Sequence, residues 1–354
     1  MEDFMKALIH LGPGRIGYES VPDPILPDRQ GALVRTTMCG LCGSDLHLYH
    51  GAPAHGSYCI GHEAVGEVVE VGSEVRDFRV GDRVLLPAIL GCGRCDPCRA
   101  GDVYLCRTQS APMIYGQGFP GIGGSQAEAV AVPNADRNLW RLPPGLSDEV
   151  GIMLTDNLAT AWFCARRARV RPGDVVAVIG LGPVGQQAVM AAKAMGAERV
   201  LGIDLLRSRR AAAALLGAEP IEAADVVQAA IELTGGDGPD VVLDANGSAV
   251  TIGLAIGMVR KGGRVSVVGL SESPQIDFPI IGSMLKNLDF HIGVCSVQAE
   301  LPALFGAIEA GRIDTGALEA LVTHRMGLSE GAEGYARFDA REGGIGKVVF
   351  DPTR

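Results

Sequence analysis

Cys42-Gly-Ser-Asp-Leu-His47, followed after a short loop by Gly61-His62-Glu63, gathers a thiol, two imidazoles, a hydroxyl and two carboxylates. Cysteine and histidine are the usual side-chain ligands of Zn²⁺, and a metal site with an open fourth position acts as a Lewis acid. Ser44 stands two residues after Cys42, and His47 three residues further on. A hydroxyl beside such a metal, with an imidazole behind it, can carry a proton from a buried alcohol to water. Any one of these residues has an ordinary explanation, since a lone buried cysteine packs as a small hydrophobe. The grouping has none, because few structural needs place all of them together.

Two further motifs carry chemistry. Cys92-Gly-Arg-Cys95-Asp-Pro-Cys98 is joined by Cys106, a C-x2-C-x2-C-x7-C pattern in a loop rich in Gly and Pro. That spacing points to a closed zinc site with four thiolate ligands, with disulfides and an iron–sulfur cluster as the alternatives. Asp174-Val-Val-Ala-Val-Ile179 is a nearly continuous apolar run, the pattern of a strand buried on both faces. It leads into Gly180-Leu-Gly182-Pro-Val-Gly185 and an Ala-rich helical stretch, Gln186 to Met195. G-x-G-x-x-G between a strand and a helix is the dinucleotide fingerprint: a tight turn, a close backbone approach to pyrophosphate, and free helix N–H groups. About twenty residues on, Asp204 ends a second strand where a carboxylate grips the adenosine ribose. This favours NAD, although Arg207, Arg209 and Arg210 lie close by and an arginine accommodates a 2′-phosphate.

C-G-S-D-L-H followed by G-H-E, with Gly61, His62, Glu63, Gly66, Gly72 and Val75 at set spacings, resembles the zinc-containing medium-chain alcohol dehydrogenases. The resemblance runs through the whole chain. It implies zinc in the four-cysteine lobe, remote from the chemistry, and NAD-linked oxidation of an alcohol to a ketone or aldehyde. Leu154-Thr-Asp-Asn-Leu-Ala-Thr160 resembles the segment that supplies an aspartate ligand in the secondary-alcohol and formaldehyde dehydrogenase branches. The expected catalytic zinc set is therefore Cys42, His62 and Asp156, although an aspartate there is also an ordinary helix N-cap. Glu63 either enters the shell during ligand exchange or tunes the site from outside, and Asp45 orients His62 through its other ring nitrogen. The expected nucleotide set is Gly180, Gly182, Pro183, Val184, Gly185, Asp204, Arg209, Val268 and Val294, with Lys347 on the pyrophosphate by resemblance. Cys39, Cys59, Cys164 and Cys295 are read as structural, as are His10, His50, His55, His291 and His324. Polyol, threonine and formaldehyde oxidation stay open, and Ser110 to Phe119 is expected to line or cap the cleft. A zinc-free enone or quinone reductase is disfavoured by the intact Cys42/His62 pair, and a non-enzymatic scaffold by the completeness of both motifs.

The elements needed to position these residues are legible in outline. Short apolar runs at 32–37, 64–71 and 83–86, separated by Pro and Gly turns, predict an antiparallel, barrel-like β region. From about Val170, strands at 199–204, 239–244, 263–269 and 290–295 alternate with helices and predict a doubly wound parallel sheet. The fold class expected is thus α/β: a GroES-like catalytic domain plus a Rossmann coenzyme domain. The boundaries are placed at 1–159 with 297–354, and 160–296; the return of the C-terminal part to the first domain is implied by the resemblance alone. A chain of 354 residues suits two cores, and 47% apolar residues suit a packed protein. The net charge of −10 argues against nucleic acid as a partner. No apolar run is long enough to span a membrane. With no leader at Met1-Glu-Asp-Phe-Met-Lys, a cytosolic location is expected, where nine cysteines signify metal rather than disulfides. A homotetramer is expected, with the apolar 290–295 edge pairing between subunits.

Overall fold

Val- and Ala-rich runs of four to ten residues, bounded by glycine and proline turns, become the strands that carry the first metal motif. The computed structural model describes residues 4–51, 56–109, 112–118, 122–270, 275–342 and 344–354. Ser110, Ala111 and Phe119, the ends of the proposed cap, and His55 lie outside the described residues.

Two units emerge, Met1–Asp156 with Ser296–Pro302 and Thr315–Arg354, and Asn157–Cys295 with Ala303–Asp314. The sequence boundaries at 159/160 and 296/297 differ from these: the first falls at Asp156, and Ala303–Asp314 goes with the second unit. One helix, Val297–Glu309, crosses from one unit to the other, with Pro302 inside it. A helix continuous over that span left no composition break to mark the change.

In the first unit, the strands Trp140–Arg141, Arg83–Leu86, Glu63–Val71, Ala32–Leu41, Lys347–Asp351 and Val322–Gly327 lie side by side in that order. Ala129–Val132 also pairs with Ala32–Leu41. All neighbours are antiparallel except the last two strands, which run parallel. The register sets Gly40 opposite Glu63 on one side and opposite Val349 on the other. Three distant segments thereby meet at one point. Glu63–Val71 lacks clean alternation because Glu63 to Gly66 are all buried in the middle of this sheet.

The second unit is built on a six-stranded parallel sheet: Glu219–Pro220, Arg199–Ile203, Val175–Ile179, Val241–Asp244, Arg264–Val267 and Asp289–Ile292. Numbered along the chain, the order is 3-2-1-4-5-6, the doubly wound arrangement whose ligands sit beyond the carboxyl ends of the strands. Apart from the half-buried Val175, the central strands are buried throughout, which explains their unbroken apolar runs. Gly180 takes φ +82°, and helix Pro183–Ala194 starts three residues later with proline in its first turn. A Cβ at Gly185 would stand 1.7 Å from the Gly180 carbonyl oxygen, so helix and turn touch backbone to backbone.

Gly185→Ala is expected to destabilise the protein by about 1–3 kcal/mol. Gly253→Ala, in helix Ala249–Met258 with open space around the added carbon, is expected to be neutral or stabilising by about 0.5–1 kcal/mol. Urea midpoints of the two variants check the contrast.

Candidate functional site

Strand Ala32–Leu41 ends at Cys42, and the chain then turns into the short helix Asp45–His50. The Cys42 amide donates to Asp45 Oδ2 at 3.0 Å, which fixes the turn that holds the thiol. Asp45 is fully buried, and its other oxygen lies 2.9 Å from His62 Nδ1. That contact directs His62 Nε2 toward the thiol. Asp156 arrives at the end of helix Asp148–Thr155, whose first turn is capped by Ser147. Its Oδ2 lies 3.3 Å from Cys42 Sγ and 3.4 Å from His62 Nε2. Tetrahedral zinc with ordinary bond lengths sets such S–O and N–O edges at about 3.3–3.6 Å, so the donors are spaced as one cation requires. Ser44 Oγ stands at the rim, 3.2 Å from Cys42 Sγ and 3.3 Å from His62 Nε2. His47 follows on the same short helix, half-buried.

The electrostatics of the donor set call for a cation. Burial and the neighbouring Asp156 charge push the Cys42 thiol up, and a divalent ion is what holds such a buried sulfur as thiolate. Asp156 is held down at about 2: burial opposes ionisation, but the hydrogen bond and charge of His62 outweigh it. For His62, burial favours the neutral ring, and Asp45 and Asp156 overcome it and raise its pKa. The proton so held on Nε2 is the one a metal displaces.

Glu63 shares this cluster, with one ligand atom from each of Cys42, His62, Glu63 and Asp156 within 4.8 Å of the others. Its role differs because Lys347, fully buried like Glu63, donates from Nζ to Glu63 Oε2 and to the Leu41 carbonyl at 3.1 Å. The ammonium cancels the Glu63 charge and leaves Cys42 and Asp156 to balance a divalent cation. Lys347, expected on the pyrophosphate, thus has a carboxylate partner that its sequence context does not disclose. Gly40 makes the pair possible, since a Cβ there would stand 2.1 Å from Glu63 Oε2. Gln126 braces the same place, donating to the Gly40 carbonyl at 2.8 Å and accepting from the Tyr335 hydroxyl at 2.9 Å. Neither Gly40, Gln126 nor Tyr335 carries a local sequence signal. Cys39 lies outside the cluster, with its thiol directed at the Phe350 carbonyl.

Cys92, Cys95, Cys98 and Cys106 form a second set in the first unit, all of them free thiols. Cys92 and Cys98 sulfurs lie 3.8 Å apart, and those of Cys95 and Cys106 3.9 Å. Metal–sulfur bonds of about 2.3 Å in a tetrahedron give edges of about 3.8 Å, whereas a disulfide needs about 2.05 Å. An iron–sulfur cluster would interpose irons and sulfides and spread the thiolates further apart. Asn138 anchors the root of the loop, accepting from the Gly91 amide at 2.8 Å and donating to its carbonyl at 3.1 Å.

In the second unit, Asp204 closes strand Arg199–Ile203 and accepts from the amides of Leu181 and Leu206, each at 2.8 Å. Arg209 lies 3.7 Å from its carboxylate, while Arg210 is spent on the Asp204 and Leu205 carbonyls and on Glu222. Arg207 is exposed. Val184 sits in the first turn of the helix after Gly182, Val268 directly follows strand Arg264–Val267, and Val294 is 43% exposed beyond the last strand.

Residues 28–144 match the alcohol dehydrogenase GroES-like domain, and residues 183–309 the zinc-binding dehydrogenase family. A probable zinc-binding alcohol dehydrogenase of Mycobacterium tuberculosis is 40% identical over 96% of this chain and 86% of its own length. Among solved structures, the alcohol dehydrogenase TADH from Thermus sp. ATN1 is 40% identical with a TM-score of 0.91, covering 98% of this chain and 99% of that one. Zinc-dependent alcohol dehydrogenase 2 of Streptococcus pneumonia is 31% identical with a TM-score of 0.88, over 98% of both chains. The chain belongs to the zinc-containing alcohol dehydrogenases of the medium-chain dehydrogenase family. No helix among the described residues is long and apolar enough to cross a membrane.

Elemental analysis of protein purified without added metal is expected to find about two zinc ions per chain. Asp156→Ala should lower the content to about one and abolish turnover, and Cys95→Ser should remove the other zinc. A wild-type content near one, unchanged by Cys95→Ser, would contradict the closed thiolate site.

Proposed function

We propose that the chain catalyses the reversible oxidation of a primary or secondary alcohol with NAD⁺, using Cys42, His62 and Asp156 for a catalytic zinc and the four-cysteine loop for a structural one. The observation that carries this reading is the three-donor set with the Ser44 hydroxyl at its rim. When bound, zinc supplies Lewis acidity toward the alcohol oxygen, and the nicotinamide accepts the hydride. Ser44 Oγ takes the alcohol proton and passes it toward His47, three residues further along the same turn and helix. Asp45 keeps the His62 ring in place, as carboxylates behind metal-ligating histidines do. Glu63, neutralised by Lys347, stays outside the resting donor set. The aspartate ligand aligns the site with the secondary-alcohol and formaldehyde dehydrogenase branches.

NAD is assigned over NADP because Asp204, fixed by two backbone amides, cannot swing away from a 2′-phosphate. The oligomer is assigned as a homotetramer. The tetrameric order follows the resemblance, with a dimer as the second reading; the exposed Ile280, Ile281, Met284, Leu285 and Ile292 around the edge strand Asp289–Ile292 offer one surface that a second copy can cover by two-fold pairing. A reducing cytoplasm suits the nine free thiols.

Steady-state rates over a panel of primary, secondary and polyhydric alcohols, each with NAD⁺ and NADP⁺, test the assignment. Expected is a kcat/KM for NAD⁺ at least about tenfold above that for NADP⁺, from repulsion between Asp204 and the extra phosphate. A preference for NADP⁺ would mean that Arg209 outweighs the carboxylate, and absence of turnover with every alcohol would refute the function.

A further inference from the structure

Asp244 is a fully buried carboxylate that the reaction outlined above does not use. It ends the strand Val241–Asp244, in register with Ile179, the last residue before the glycine turn. Its Oδ1 accepts from the amides of Asn246 at 2.8 Å and Gly247 at 3.0 Å, and Oδ2 is buried with it. Burial pushes its pKa up against hydrogen bonds from the Gly247 and Asn246 amides and the Thr251 side chain. Such a group is costly to keep, and the following helix has a cap of its own. Helix Ala249–Met258 is capped by Ser248, whose hydroxyl accepts from Thr251 N.

The turn that Asp244 holds is where three loops at the carboxyl end of the sheet converge. A Cβ on Gly180 would lie 3.2 Å from Asn246 Cβ. A Cβ on Gly247, at φ +77°, would lie 2.0 Å from the Gly269 carbonyl oxygen, and one on Gly269 would lie 2.1 Å from the Asn246 carbonyl carbon. The Asp244 carbonyl itself accepts from Val268 N at 3.0 Å. The loops after strands 1, 4 and 5 are therefore packed backbone to backbone around Asn246–Gly247. Strands 1 and 4 flank the point where the strand order reverses, the place at which doubly wound sheets bind nucleotides.

We propose that Asp244 is a positioning residue for the nucleotide: its carboxylate sets the Asn246–Gly247 turn, which in turn fixes Gly180 and Val268–Gly269 against the cofactor. This rests on the nucleotide assignment made under Proposed function. Asp244 acts through these loops and touches no reacting atom. The hydrogen-bonding oxygen matters and the charge does not, so asparagine, which offers the same acceptor, preserves the turn.

Titration of zinc-loaded wild type, Asp244→Ala and Asp244→Asn with NADH and NADPH, followed by nucleotide fluorescence, tests this. The measurement is paired with kcat and KM for the cofactor and with melting temperatures in the absence of nucleotide. Asp244→Ala is expected to raise Kd and cofactor KM by about tenfold or more, with kcat at saturating cofactor within about threefold of wild type. Asp244→Asn is expected to stay within about threefold of wild type in Kd. Should Asp244→Ala not fold, Asp244→Leu, of similar shape but with no acceptor for the two amides, carries the same expectation. A lower melting temperature with unchanged Kd in the Ala or Leu variant would overturn the proposal, leaving a purely structural carboxylate. Equal impairment of Asn and Ala would overturn it as well. A wild type that binds neither NADH nor NADPH would instead remove the nucleotide assignment, and the proposal with it.

Discussion

The buried pair between Glu63 and Lys347 is the constraint on which the metal site depends. Two charges with no solvent exposure are tolerable only when each compensates the other in good geometry, because desolvation costs several kcal/mol per ion. Here the compensation has a chemical consequence. With Glu63 neutralised, the anionic groups left in the cluster are the Cys42 thiolate and Asp156, which would match the two charges of the proposed zinc with a neutral His62. An unpaired Glu63 would add a third negative charge and weaken the Lewis acidity toward a substrate oxygen.

Much of the first unit follows from making that pair. Lys347 opens a strand that pairs antiparallel with Ala32–Leu41, and Glu63 opens the strand on the other side. Gly40, between them, lacks the side chain that would collide with the carboxylate. The Gln126–Tyr335 chain then ties the Gly40 backbone to the helix Gly331–Asp339. The second unit solves a different problem with the same means. Its turns beyond the sheet are closed by glycines and by aspartates that accept backbone amides, Asp204 beside Gly180–Leu181 and Asp244 at Asn246–Gly247. In both units, carboxylates buried close to backbone set the positions of loops that carry the chemistry.

What was legible in the sequence was what is local. The four-cysteine loop declares itself because its ligands lie within fifteen residues of chain, and the glycine turn because strand, turn and helix are consecutive. The parallel sheet was legible from its apolar runs, since burial on both faces suppresses alternation. The reading of Asp156 as a ligand came only through resemblance, because nothing in Thr155-Asp156-Asn157 distinguishes a ligand from a helix cap. Lys347 shows why the rest was hidden: its partner Glu63 is 284 positions away, and a lysine before a Val-Val-Phe strand gives no sign of an interior carboxylate. The division of helix Val297–Glu309 between units was equally unreadable, because helical pattern records which face is buried and not against what.

The most direct test of the account is a double-mutant cycle on the buried pair, read as stability of the zinc-loaded protein. Lys347→Met alone should cost about 3–5 kcal/mol, because it strands the Glu63 carboxylate in the interior. Adding Glu63→Gln to it should recover most of that loss, since the stranded charge is then gone. A double variant no more stable than Lys347→Met alone would contradict the claim that mutual charge compensation is what holds this site together.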